Sequence, residues 1–558
     1  LLNKNVESQF AQLPTIDVKR SMFDRSCGHK TTFNIGDLIP LYWDFMLPGD
    51  TVQATTSSVI RLQTPLTPIF DNIYLDVHWF NVPLRLVYNK TKEFFGENTS
   101  GPWIPEAAHN LPICSFPEGG FDVGTIADYL GVPTGVSSDQ KSDWPCALPF
   151  RAYALIANEW YRSEALSDPL NIPMDEADQA GSNGSSYIND VANGGKPFKA
   201  AKFFDLFTSC LPSPQRGEAV TLGLAGLAPV NALTSQHLGS VSTVRWNTQI
   251  DGAGQEFQLV RNAVGSSAGN QNAEFRFTPL DTNVTMYPMN LWADLSEASA
   301  VSVNDLRLAF QLQKFYEASA RSGNRYREYI LGMYGVHSLD ARMQIPEYLG
   351  GHRFPLQIHQ VANTSQGEND FLGDLGAVSN TANIHDDITF SSTEFSILMC
   401  VAVARYDHSY PQGMARQWSY RNKFDFALPV FAHLGEIGVR KRELCFKTHT
   451  SADIGSWDNG DIFGYNENYY EYRYSPNRCS GEMRPGINNS LASWHLSDYY
   501  TSVPSLSDEW IREDKSNVDR VLSVTSSVSN QIFGDFWFKM TWTRPLPMYS
   551  VPGLVDHF

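Results

Sequence analysis

Two stretches of strict alternation stand near opposite ends of this 558-residue chain. Near the start, Ile73, Leu75, Val77 and Trp79 interleave with Tyr74, Asp76, His78 and Phe80. Near the end, Phe536, Phe538, Met540 and Trp542 interleave with Trp537, Lys539, Thr541 and Thr543. A period of two places successive side chains on opposite faces of an extended strand. Isolated strands are not stable in water, so both ends of the chain are expected to enter sheets, and strands at both ends suggest that early and late ones share them. The expected fold class is therefore mainly β, a sandwich built from early and late strands with long inter-strand loops and a few helices.

Further segments fit this scheme. Thr31–Ile35, Leu41–Met46 and Thr51–Leu62 read as strands, with the turn Leu47-Pro48-Gly49-Asp50 between the last two. Phe395–Ala404 is a continuous apolar run of strand length and predicts a buried strand. Phe424–Phe431 and Val439–Phe446 are candidate strands as well. Pro545 and Pro547 stop the last strand, because proline cannot donate to a ladder.

Between the strands the chain changes character. Residues 96–149 carry prolines at 102, 105, 112, 117, 133, 145 and 149 and read as loops. Phe150–Leu166 predicts a helix with Phe150, Ala154, Ala157, Trp160 and Tyr161 on one face. Residues 213–300 are rich in small and amide side chains and read as a surface insertion. A helix capped by Ser302, with Asp305 three positions on, follows; its stripe is Leu308, Leu312, Phe315 and Ser319. Gly323 should break it before a second helical piece, Asn324–Tyr334. The expected organisation is thus 1–212 as the first part of the core, 213–300 as the insertion, and 301–558 as central helices plus the rest of the core.

The search for reaction chemistry finds little. No HExxH, phosphate-loop or dinucleotide motif is present. Gly265-Ser266-Ser267-Ala268-Gly269 has the letters of a nucleophile elbow but polar loop flanks, and reads as a loop. His352 and His359, seven apart, have no metal-site spacing, and His385-Asp386-Asp387 reads as solvated loop. Asp453, Asp458, Asn459, Asp461, Asn466 and Glu467 do not follow the EF-hand order and read as an acidic turn region. The seven cysteines include no CxxC pair and predict reduced, mostly buried thiols. No catalytic residue, metal or cofactor is expected. No apolar run reaches transmembrane length, and Leu1–Lys4 lacks a signal-peptide layout.

Charge restricts the partners. The net charge of −18 argues against a dedicated nucleic-acid reader but allows a local basic face. Two groups are candidates for facing nucleic acid: Lys19, Arg20, Arg25 and Lys30, and then Arg321, Arg325 and Arg327. Low charge (18%) with high aromatic content (13%) suits a chain that buries large contacts. The apolar end of the chain, with Pro552, Leu554 and Phe558, is expected to pack against a sheet or a neighbouring copy.

Several motifs together carry a family resemblance. Ile16–Ser26, Lys30–Pro40, Pro48–Asp50, Arg61–Phe70 and Asp76–Pro83 resemble the start of the major capsid proteins of gokushoviruses, small single-stranded-DNA bacteriophages of the Microviridae. The resemblance resumes in Gln311–Glu317, Gly323–Tyr329, Arg405–Gly413, Asp425-Phe426 and Met548–Phe558. It weakens in 98–147 and in about 213–300, where the family carries a variable insertion. It implies an eight-stranded viral jelly roll that self-assembles into a T=1 icosahedral shell around circular single-stranded DNA. It also implies threefold protrusions that contact a host-surface receptor, an internal scaffolding protein, a minor DNA-pilot protein, and assembly in a bacterial cytoplasm before residence in the virion. The residues alone leave open a carbohydrate-active β-sandwich (lectin or glycosidase) or a secreted adhesin.

Overall fold

The computed structural model describes residues 18–98, 109–220, 303–364, 372–447 and 461–550, with the backbone of five short strands between 230 and 293. Nine strands build the centre: β1 Ser21–Asp24, β2 Cys27–Phe33, β3 Ile39–Met46, β4 Thr51–Leu62, β5 Ile73–Pro83, β6 Glu347–Pro355, β7 Thr381–Ser391, β8 Ser396–Tyr406 and β9 Ile532–Arg544. β1 and β2 both pair with β9 and act as one strand interrupted at Arg25-Ser26. One sheet runs β1/β2–β9–β4–β7 and the other β6–β5–β8–β3, every pairing antiparallel. Along the chain every connection from β2 onward crosses between the sheets except β5 to β6. With β1/β2 counted once, this is the eight-stranded wiring of a jelly roll. The long excursions fall between β5 and β6 and between β8 and β9.

Alternation decides the cores. Ile73, Leu75, Val77 and Trp79 of β5 meet Phe536, Phe538, Met540 and Trp542 of β9 between the sheets. Tyr42, Trp79 and Phe538 form a mutual aromatic contact there, each pair of ring centroids 5.7 Å apart. Full burial of a large apolar side chain stabilises by about 1.5–3 kcal/mol, so this layer is a principal source of the fold's stability. β8 has two buried faces. Leu398, Cys400, Ala402 and Ala404 point into the inter-sheet core, while Ile397, Met399, Val401 and Val403 point into a second core. That double burial is why its sequence shows no alternation.

The second core is roofed by α1, Leu148–Ile156, extended by a π-helical turn through Tyr161. The helix ends there, five residues short of the expected Leu166, because Arg162 turns extended and its guanidinium binds Asn158 Oδ1 and the Ser167 carbonyl. Arg151 lies fully buried in α1, and its charge is met by Gln179 Oε1 (2.9 Å) and the carbonyls of Val87 (3.1 Å) and Asp175 (2.9 Å).

Two expected strands are corrected. Phe424–Phe431 is a series of turns ending in a 3-10 turn at Pro429–Phe431. The Asp425 carboxylate takes the backbone N–H groups of Arg421 and Asn422, which curls the chain. Val439–Phe446 is strand only to Arg440; Lys441–Leu444 is a helical turn, with Glu443 accepting the Arg440 N–H. Ser302, Gly265–Gly269, Asp453, Asp458, Asn459, Pro552, Leu554 and Phe558 lie outside the described residues.

Gly217–Tyr316 forms a compact unit of its own. Within it Arg245–Thr248 pairs with Gln255–Gln258 and with Met286–Pro288, and Val230–Ala232 pairs with Leu291–Ala293. Helix α2, Val303–Ser322, ends at Gly323, whose φ of +99° suits glycine, and α3, Tyr326–Tyr334, follows.

Candidate functional site

The second basic group lines a cleft of about 1120 Å³. Arg321, Arg325 and Arg327 border it from the α2–α3 break, and Arg353 of β6 and Arg405 of β8 border it from the second sheet. With Arg162, Lys202 and Arg216 the lining holds eight basic side chains against the acidic Glu159, Glu164, Glu328 and Asp407. The surplus is local, in a chain whose net charge is −18.

Each arginine is held by named partners. Arg321 pairs with Glu436 at 2.7 Å. Arg325 stands 3.3 Å from Glu159 and donates to the Asn158 carbonyl at 2.7 Å. Arg327 pairs with Asp340 at 3.5 Å and lies over the Trp160 ring at 4.7 Å. Arg353 and Arg405 share the buried Asp76 carboxylate and both stack on Phe203, at 4.4 and 4.3 Å. Asp407 adds a second carboxylate beside Arg353, so two acidic side chains match the two guanidinium groups there. Phe204 beside them is almost fully exposed. Burial, and then the hydrogen-bonded Glu328, push the Glu164 carboxyl up to about 7. An open cleft with fixed guanidinium groups and a bare aromatic ring can hold a polyanion and stack a flat group.

The first basic group does not form one patch. Arg25 pairs with Asp44 and lies over Trp542, beside Arg544. Lys30 sits opposite Asp535 further along β9, with a 3.6 Å ion pair and a largely exposed side chain. Arg20 lies against Gly49, and Lys19 is exposed.

The expectation for His385-Asp386-Asp387 is corrected. The three lie on β7, and Asp387 is fully buried beside His352 rather than solvated. The sequence hid this because the two histidines are far apart along the chain. Of the acidic region, Asp461 pairs with Lys441, Glu467 with Arg473, and Asn466 binds the Leu206 carbonyl. All seven thiols are free; Cys114, Cys210, Cys400 and Cys445 are buried. Among the described residues no helix is long and apolar enough to cross a membrane.

A different surface stands out around α2. Of the stripe Leu308, Leu312, Phe315 and Ser319, the three apolar side chains are exposed, Leu308 by 67%, and Ser319 is buried. Phe310, on the opposite side of the helix, is exposed as well. An apolar helix face left open in a single chain marks an association surface.

An eight-stranded jelly roll carrying long excursions between its strands is an architecture that viral capsid subunits use. The family model for the capsid protein (F protein) matches residues 11–554, and the chain belongs to that family. Capsid protein VP1 of Spiroplasma virus 4 is 37% identical over 537 residues, covering 94% of each chain. Capsid protein VP1 of Bdellovibrio phage phiMH2K is 35% identical, covering all of this chain and 99% of the relative. Capsid protein VP1 of Chlamydia phage 1 is 33% identical, covering 98% of each. The gokushovirus resemblance of the motifs therefore extends along the whole chain. It is a structural capsid protein of the virion, it assembles as an oligomer, and the carbohydrate-active alternative is not favoured.

Proposed function

We propose that this chain is the major subunit of a T=1 icosahedral shell around a circular single-stranded DNA genome, and that it has no catalytic role. The observation that carries the reading is the open apolar face of α2, which one chain cannot cover by itself. Neighbouring copies cover it, and closure makes many modest contacts collectively stable. The 213–300 insertion protrudes at the threefold axes and meets the host-surface receptor. An internal scaffolding protein and a minor DNA-pilot protein are the other partners, and assembly takes place in the bacterial cytoplasm.

The arginine cleft is the better candidate for contact with DNA, because Arg321, Arg325 and Arg327 are grouped there with Arg353 and Arg405. Lys19, Arg20, Arg25 and Lys30 act as separate phosphate contacts. Pro552, Leu554 and Phe558 dock on a neighbouring subunit. Electron microscopy of the purified protein tests the whole reading. Uniform hollow or DNA-filled particles support it, and a stable monomer with glycosidase activity overturns it.

A further inference from the structure

β6 and β7 are edge strands of opposite sheets. The pairing of β7 with β4 slips between Asp386 and Ile388, so Asp387 is the extra residue of a β-bulge. Bulges re-aim side chains, and this one turns a carboxylate into the protein. Asp387 Oδ2 accepts Trp79 Nε1 of β5 at 2.9 Å and the Thr56 hydroxyl of β4. Its Oδ1 faces two imidazoles, His352 Nδ1 of β6 at 2.7 Å and His385 Nδ1 of β7 at 2.8 Å. The two rings stack with centroids 4.6 Å apart. A Cβ at Gly350 would stand 3.0 Å from the Asp387 carbonyl, and one at Gly351 would stand 2.1 Å from the Val77 carbonyl. Gly350 lets β6 close onto the bulge, and Gly351 lets it close onto β5.

We infer that His352, His385 and Asp387 form a binding site for a divalent transition-metal ion of the zinc class, stapling the two sheets at their shared edge. Two imidazoles and one carboxylate, with their ligand atoms all within 4.8 Å of one another, are a borderline nitrogen–oxygen set that favours Zn²⁺ over Ca²⁺. Trp79 and Thr56 hold the second carboxylate oxygen, as outer partners of metal ligands do. Metal bonds of about 2.0–2.1 Å set tetrahedral ligand atoms about 3.3 Å apart, so the group opens by about half an ångström to admit the ion. His385 is the half-exposed ligand and lies on the side open to solvent, where water supplies the fourth position. The site is independent of the shell reading.

The test uses the full chain, stripped with chelator and titrated with Zn²⁺ and with Co²⁺. The expected result is one ion per chain, with Co²⁺ bands of a tetrahedral nitrogen–oxygen site and no thiolate charge-transfer band. His385→Gln removes the ligand nearest solvent without touching Trp79 or Thr56, and should weaken binding at least tenfold while circular dichroism stays unchanged. No stoichiometric uptake by the parent chain means that the three side chains are only a hydrogen-bonded group, and overturns the site. Uptake that persists unchanged in His385→Gln places the metal elsewhere, a thiolate band places it on cysteine, and either overturns the site.

Discussion

The Nδ1 of His408 stands 3.0 Å from Oδ1 of Asp498, with both side chains almost wholly buried. Glu513 closes the other side, its carboxylate 3.0 Å from Nε2. The clamp joins the end of β8 to two segments near the end of the chain. Burial alone would push the His408 imidazole down, but the Glu513 and Asp498 carboxylates outweigh it and bring it up to about 10. Burial would likewise raise Asp498, but His408 outweighs it and holds that carboxyl at about 2.

The folded-state value of His408 therefore lies above an unfolded value of about 6.5. Its contribution is complete below about 6.5 and is lost as pH rises through about 10. Asp498 contributes fully above its ordinary value of 3.8 and loses that contribution as pH falls through about 2. The melting temperature should fall between pH 7 and 10. His408→Ala leaves the buried Glu513 without the His408 cation and Asp498 with only Lys202, 4.0 Å away; it should cost about 3–5 kcal/mol and should flatten that pH slope. A parent chain and variant with the same slope would contradict the assignment.

The two faces of β9 should respond differently. Phe538 is fully buried between the sheets, whereas Trp537 on the opposite face is about half exposed. Phe538→Ala should cost about 3–5 kcal/mol through lost burial and a cavity. Trp537→Ala should stay within about 0.5 kcal/mol. Denaturant unfolding of the two variants measures the contrast.

Thiol chemistry should be quiet. Burial pushes the Cys114 thiol up to about 12 and the Cys400 thiol well above its usual range. Iodoacetamide on the native chain near neutral pH should leave Cys114, Cys210, Cys400 and Cys445 unlabelled. Dithiothreitol should not move the melting temperature. Mass spectrometry after labelling reads the first outcome and a thermal melt the second.

Leu308→Glu with Phe315→Glu should abolish particles while changing chain stability by no more than about 0.5 kcal/mol, because both side chains are already exposed. Sedimentation separates particles from subunits. Normal particle yield would remove α2 from the association surface.

Lys19→Glu with Lys30→Glu should leave particle yield intact, since both side chains are exposed, and should lower the DNA content of purified particles. Unchanged DNA content would end the phosphate role of these lysines.

Much of the strand framework is legible locally. Alternation in β5 and β9 identifies the buried face, and the unbroken apolar run of β8 identifies a strand covered on both sides. Gly323 ends α2 as its position suggests. Phe424–Phe431 misleads because aromatic content resembles strand propensity, while the decisive term is the local capture of backbone N–H groups by Asp425. The Arg321–Arg327 group is visible as a run of charge, but its cleft also needs Arg353 and Arg405 from strands. The His408 clamp leaves no local pattern, and of the histidine–aspartate cluster only His385 and Asp387 are neighbours along the chain, with His352 brought in from another strand.

By itself the sequence determined the class of fold, the faces of the principal strands and, through motifs spread over its length, the capsid family. Those properties follow from side-chain period and residue identity, which are carried by neighbouring positions. Only the tertiary structure decided that β9 lies between β2 and β4, joining groups such as Asn34 and Asn530, 496 positions apart. Only it turned Asp387 inward at a bulge. A strand pattern states which face seeks burial, but not which strand supplies the partner, because that choice is made by the closure of the whole sandwich.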